Sequence, residues 1–285
     1  MQKSRNFLSD SSNKNFKKFF SMADFELITS RIKISKFLMR DPANKIYLIG
    51  DLDPFFFQRT KWFAKINAHE IEELAMLYEG DVAVTLLAFP DGNVSNTIEL
   101  LENCAPQLPN EFYAHLSCGI MEKLKSFTSA KDFGRHLKML LKEPDKLRYD
   151  TEEEIRRLDF DDEQNLLKLY EGHYPGNYFD KRMLETGKYF GYFESDELIG
   201  VAGIHVYSPV MKVAALGNIV VAGEQRGKGI CRKLVGTLCK DLLKTADIIG
   251  LNVHSENHSA ISCYKLCGFE VIGEYEEYLI KKIKK

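Results

Sequence analysis

Gly223-Glu224-Gln225-Arg226-Gly227-Lys228-Gly229-Ile230-Cys231 is the stretch on which the fold turns. An apolar run, LGNIVVA (216–222), leads into it. Behind it Ile230, Leu234, Leu238 and Leu242 recur on one helical face, so the nine residues read as a strand-to-helix turn. A helix start presents unpaired backbone N–H groups and the positive end of the helix dipole. Glycines there let the backbone come close to an anion, and Arg226 and Lys228 add charge. The ligand chemistry this suggests is a pyrophosphate. The dinucleotide fingerprint G-x-G-x-x-G is not met, because Arg232 stands where its third glycine belongs, and G-x-x-x-x-G-K-[ST] does not occur. Taken alone, the loop is also compatible with a solvated glycine turn.

A second element lies downstream. After the strand-like run 247–253 comes Asn257-His258-Ser259-Ala260-Ile261-Ser262-Cys263-Tyr264-Lys265-Leu266-Cys267-Gly268-Phe269. Asn257 is a helix cap, Ala260 permits close backbone approach, and Tyr264 lies one turn further along the same face. Gly268 ends the helix in a left-handed cap against which Phe269 packs.

Strand, R-G-K-G-I-C, helix, strand, then N-x-x-A-x-x-x-Y-x-x-x-G-F: in this order the chain resembles the GNAT superfamily of CoA-dependent N-acyltransferases over residues 150–285. The family's loop pattern, [QR]-x-x-G-x-[GA], is matched by Arg226 and Gly229. Cys231 replaces its last small residue, which implies slight crowding of the pyrophosphate. The resemblance implies acetyl-CoA as co-substrate, with Ile219, Val220 and Val221 along the pantetheine arm. It places the pyrophosphate on Arg226, Gly227, Lys228, Gly229, Ile230 and Cys231, and Asn257 against the cofactor. Tyr264 would face the thioester sulfur as general acid, since a phenol of pKa about 10 suits a developing thiolate. A strand N–H would polarise the carbonyl.

The base is less legible. Run 216–222 holds no carboxylate, so His205 is the candidate, followed by His254, Glu256 and Asn218 as a water holder, or water alone. The implied reaction moves an acetyl or short acyl group to a primary amine of a small molecule or amino acid. The alternative is an acyl-CoA-binding regulatory protein without turnover.

The rest of the sequence sets the frame. The chain has 285 residues, of which 45% are hydrophobic and 28% charged, and its formal charge is 39 − 41 = −2. That composition fills ordinary cores and excludes disordered and collagen-like classes. Nothing is basic enough to favour nucleic acid, and no run approaches the roughly 20 apolar residues of a membrane span. Phe16, Lys17, Lys18, Phe19 and Phe20 belong to a solvated leader rather than a membrane anchor. Six cysteines without a C-x-x-C pair and without a secretory signal point to reduced thiols in a cytoplasm. Cys263 and Cys267, four apart on a helix, are expected as buried small side chains and not as a metal half-site, so no metal is expected. A homodimer is left open.

The expected organisation is a polar leader (1–20), a degenerate acyltransferase-like N-terminal domain (21–145) and a catalytic domain (146–285). The fold class is α/β with a mixed sheet flanked by helices. In the first domain the pattern predicts a helix over 25–38, strands at 45–52, 60–66, 70–78 and 81–89, a helix at 97–102 and a strand at 135–143. In the second it predicts β-α-α-β-β-β-α-β-α-β, with a hairpin turning at Ser195-Asp196. Trp62, Phe55, Phe56, Phe57 and Tyr113 are core or acceptor-lining residues of the first domain.

Overall fold

The computed structural model describes residues 24–127, 130–148 and 154–282; the leader expected over 1–20 lies outside the described residues. One mixed sheet of twelve strands runs through both halves of the chain and carries helices on its faces, the fold class expected from the sequence. The chain opens with β1 (Asp24–Leu27), α1 (Arg31–Leu38), α2 (Ile46–Gly50) and α3 (Pro54–Phe57). Next, β2 (Thr60–Asn67), β3 (Glu70–Glu79) and β4 (Val84–Ala88) form an antiparallel meander with β1 on its edge. Helix α4 (Val94–Cys104) crosses over to β5 (Glu111–Leu116), which is parallel to β4. Strand β6 (Ala130–Leu141) ends this half.

The second half repeats the plan. After β7 (Ile155–Arg157) and α5 (Glu163–His173), strands β8 (Phe190–Glu194), β9 (Glu197–Ser208) and β10 (Val213–Val221) run antiparallel. Helix α6 (Ile230–Leu242) crosses to β11 (Ile248–His254), parallel to β10. Helix α7 (His258–Leu266) leads into β12 (Phe269–Lys281). The Ser195-Asp196 turn has φ of 49° and 67°, the paired left-handed conformation of a tight hairpin.

The halves exchange their last strands. The sheet order is β1-β2-β3-β4-β5-β12-β6-β11-β10-β9-β8-β7. Strand β12 pairs with β5 from Glu276↔Leu116 to Lys281↔Glu111, while β6 pairs with β11 from Gly250↔Leu140 to His254↔His136. Tyr278 and Ile280 of β12 are thereby buried with Phe63, Leu86 and Phe112 of the first half. Each such side chain contributes about 1.5–3 kcal/mol on burial, so the exchange ties the two halves into one body.

Three expectations about elements are corrected. Run 45–52 reads as a strand because Ile, Tyr, Leu and Ile favour one. It is instead the short helix α2, laid across the sheet with Ile46 against Gly250 and Gly50 against Val206. The sheet edge it would have joined is already occupied, and tertiary packing overrides propensity. The helix expected over 25–38 starts at Arg31, where Ser30 accepts a hydrogen bond from the Lys33 N–H; residues 24–27 pair with β2 instead. Residues 181–186 form tight 3-10 turns capped by Asp180, not an α-helix.

Candidate active site

Strands β10 and β11 pair only from Val213↔Ile248 to Leu216↔Leu251. At that point β10 bulges: its register against β9 shifts between Gly217 and Val220, and Asn218 adopts φ 54°. The bulge is held on three sides. The Tyr170 hydroxyl donates to the Asn218 carbonyl at 2.8 Å, the Tyr178 N–H donates to Asn218 Oδ1 at 3.2 Å, and Asn218 Nδ2 donates to the Tyr189 hydroxyl at 2.9 Å. Asn218 is thus a structural clamp with its amide engaged. Beyond the bulge β10 stays with β9 and β11 stays with β6, so the two parallel strands part. Ile219, Val220 and Val221 line β10 where the gap opens.

At the mouth of the gap, Gly227 and Gly229 have φ of 81° and 83°, and a Cβ on either would meet nothing within 4 Å. Gly229 caps α6 without any side-chain hydrogen bond. The first N–H groups of α6, including those of Ile230 and Cys231, have no partner inside the helix, and Lys233 is the first to bond back, to the Gly229 carbonyl. Arg226 donates through Nε to the Val221 carbonyl at 3.1 Å, tying the loop to the end of β10, and exposed Lys228 is bonded to Gln225. Open glycines, helix N–H groups and two cations fit a diphosphate.

Cys231, in the first turn of α6, is close enough to Cys263 on α7 for the two thiols to perturb one another, and Cys267 is coupled to Cys263 in the same way. Interaction with Cys263, together with burial, pushes the Cys231 and Cys267 thiols up, and the same interactions hold Cys263 down. No group of three or more His, Cys, Asp or Glu side chains placed to hold a metal ion occurs among the described residues. Asn257 caps α7, its Oδ1 accepting from the Ala260 N–H at 3.2 Å and the Ser259 hydroxyl at 3.1 Å. Tyr264 is buried and packs on Phe269 with ring centroids 6.1 Å apart. Burial chiefly raises its pKa well above 10, and Cys231, Cys263, Tyr174 and Tyr47 act on it in the same direction.

Tyr47 and Tyr174 belong to the wall of a cavity of about 190 Å³ that both halves line. His205 is in that wall, its ring lying where a Cβ on Gly217 would come within 2.0 Å of Cδ2, so only glycine fits there. Burial lowers the His205 pKa to about 4. It is neutral and a weak proton acceptor. His254 is committed elsewhere: its Nε2 bonds the Phe133 carbonyl at 3.0 Å, and its Nδ1 accepts from the Glu256 N–H.

The same cavity holds a cluster that pattern reading passed over. Glu277 of β12 lies between His115 of β5 (3.4 Å) and His136 of β6 (3.5 Å) and accepts from the Tyr178 hydroxyl at 3.1 Å. Although burial opposes it, donation by His115 and the nearby imidazoles hold the carboxyl at about 2. His136 stacks on Tyr275 at 5.2 Å, and burial lowers its pKa. The three residues are 115, 136 and 277 in a chain of alternating strands, and only the strand exchange brings them together. The one local signal is a register break between Glu276 and Tyr278, which re-aims Glu277.

Comparison with known proteins agrees with this geometry. Residues 152–269 match the model of the acetyltransferase (GNAT) family. An uncharacterized Mycobacterium leprae protein is 32% identical over 108 residues, which is 37% of this chain; the match spans 29% of that relative's length. Among solved structures, a Drosophila protein superposes with a TM-score of 0.70 at 13% identity, covering 91% of this chain and 99% of its own. A GCN5-related N-acetyltransferase from Sphaerobacter thermophilus gives 0.56 at 13% identity, covering 92% and 96%. A tandem GNAT protein from the clavulanic acid biosynthesis pathway gives 0.56 at 12% identity, covering 93% and 100%. At these identities the likeness is one of fold. No helix among the described residues is long and apolar enough to cross a membrane.

Proposed function

We propose, from the match of residues 152–269 to the acetyltransferase (GNAT) family model, that the chain is an N-acyltransferase moving an acetyl or short acyl group from acyl-CoA to a primary amine of a small molecule. The observation that carries this reading is the pair of open, left-handed glycines at an α6 start where β10 and β11 part. Main-chain N–H groups from Gly227 to Cys231 take the diphosphate. The edge of β10 at Ile219, Val220 and Val221 takes the pantetheine arm, and Asn257 borders the cofactor. The N-terminal half (21–145), a degenerate relative of the second half (146–285), serves as the acceptor-side wall through Tyr47, Asp51, Tyr78 and His115.

The amine must lose a proton before it attacks the thioester carbonyl. His115 and His136, flanking the Glu277 carboxylate, take that proton; His205 is too weak a base at a pKa of about 4 and serves as a neutral wall. The C–N bond forms, the C–S bond breaks, and Tyr264, held protonated by burial, donates to the departing thiolate. Six free thiols fit a reducing cytoplasm.

Calorimetry with CoA and acetyl-CoA tests the cradle, and CoA release with a panel of amines tests the reaction. Heat with CoA and turnover with an amine are expected. Absence of heat on folded protein overturns the reading altogether. Binding without turnover across a broad panel leaves the regulatory alternative in its place.

A further inference from the structure

One carboxyl in the acceptor cavity has no counterpart. Asp51, at the end of α2, is only 4% exposed and lines the cavity; its N–H bonds the Tyr47 carbonyl, yet no hydrogen bond or ion pair reaches its carboxylate from any described residue. Its neighbour Asp53 shows the contrast, accepting from the Phe55 N–H and the Ser208 hydroxyl. The other acids of the wall are also matched: Asp81 and Asp180 face Arg59 at 2.8 and 3.8 Å, and Glu277 sits among His115, His136 and Tyr178. Burial alone pushes the Asp51 pKa well above the usual carboxylate range, as expected for a carboxylate lacking a counter-ion. No lysine or arginine is among the described residues lining the cavity, while Tyr47, Tyr78, Tyr174, Tyr178 and Tyr275 supply aromatic faces. Such a wall attracts cations and repels carboxylates.

The position of Asp51 separates it from the reacting end. Gly50 packs on Val206, which pairs with Ala215, before β10 leaves β11; the strands part at Gly217, opposite Gly203. Those levels are offset by three residues along β9 and two along β10, or about 7–10 Å. Resting on the acyl-transfer reading above, we propose that the acceptor is a short α,ω-diamine: one ammonium pairs with Asp51 and stays charged, and the other amine is presented to the thioester. The products are a monoacylated diamine and free CoA thiol. The new amide forms at the near nitrogen as C–S breaks, that nitrogen's proton leaves through the histidine pair, and the far ammonium is unchanged. Amino acids are disfavoured, since their carboxylate meets Asp51 and Glu277 with no cation to receive it.

Three probes share a reactive amine and differ at the far end: 1,4-diaminobutane, 1-aminobutane and 4-aminobutanoate. With the full chain, binding in the presence of CoA is measured by calorimetry and acetyl transfer by CoA release. The diamine is expected to bind at least about tenfold more tightly than the monoamine, and the amino acid least. In Asp51→Asn the diamine falls to the level of the monoamine, and an unchanged circular dichroism spectrum and CoA affinity certify the fold. A wild-type protein that does not prefer the diamine, or an Asp51→Asn variant that keeps the preference, overturns the proposal. Diamine binding that depends on Asp51 without acetyl transfer leaves the acceptor class standing and sinks the reaction. Transfer to other amines, with no diamine preference, does the reverse.

Discussion

The two halves contain the same β-α-β crossover, and they differ in what stands at the helix start. Between β4 and α4 the turn is filled by side chains. Asn93 caps the helix by accepting from the Ser95 N–H, and Asp91 is paired with Lys45 and Arg40. Buried Glu73 accepts from the Asp91 N–H and the Thr97 hydroxyl. Between β10 and α6 the corresponding place has two left-handed glycines and no side-chain cap. A helix start satisfied by its own acids has no donors left for a foreign anion, whereas one built of glycine keeps them available. The halves also differ after the fifth strand. The second carries α7 with Tyr264, while the described residues between β5 and β6 of the first contain no α-helix. On the proposed reading, one scaffold supplies a cofactor-binding half and an acceptor-side half.

The comparison can be broken at several points. The largest effect is expected from Tyr264→Phe, which removes the proton donor proposed for the second half. Turnover should fall by about 10²-fold in single-turnover assays, with CoA affinity by calorimetry unchanged. Equal turnover would remove the acid role. Next, Gly227→Val combined with Gly229→Val forces two branched residues into left-handed dihedrals at about 1–2 kcal/mol each. CoA binding should weaken by roughly two orders of magnitude while circular dichroism is retained; unchanged binding would mean the two helix starts do not differ in function.

The halves also contribute opposite pH dependences. His205, in the second half, has its pKa lowered from 6.5 to about 4, so between those values the unfolded chain takes up a proton that the folded chain refuses. Its contribution to stability is complete above pH 6.5 and lost as pH falls toward 4. Glu277, lowered from 4.5 to about 2, loses its contribution lower, as pH falls through that window. Asp51, in the first half, is raised, so its burial costs stability at neutral pH and the cost fades on acidification. Asp51→Asn should therefore raise the melting temperature at pH 7 to 8, by roughly 2–4 °C per kcal/mol relieved, with the difference closing in acid. Scanning calorimetry against pH checks both signs. The smallest effect is expected from Asn93→Ala, which should cost about 1 kcal/mol in urea unfolding through the lost cap and leave CoA affinity untouched. A change in CoA affinity would show that the first half's helix start also reaches the cofactor.

Local chemistry was enough to read the second half from its residues. Gly229 before an apolar helical face, Asn257 as a cap, the Ser195-Asp196 turn and the alternation of 197–208 each act within a few residues, so the sequence by itself determined the mixed α/β class and, in the second half, the glycine turn at the start of α6, the start of α7 and the hairpin. Tertiary structure alone decided the rest. Run 45–52 became a helix because of what it lies against, and the partners of β6 and β12 come from the opposite half of the chain. His115, His136 and Glu277 meet only through that exchange, and Asp51 is unmatched because the fold buries it where no described residue bonds its carboxylate. Propensity, capping and turn strain are set by neighbours along the chain, whereas burial without a counter-ion depends on neighbours in space.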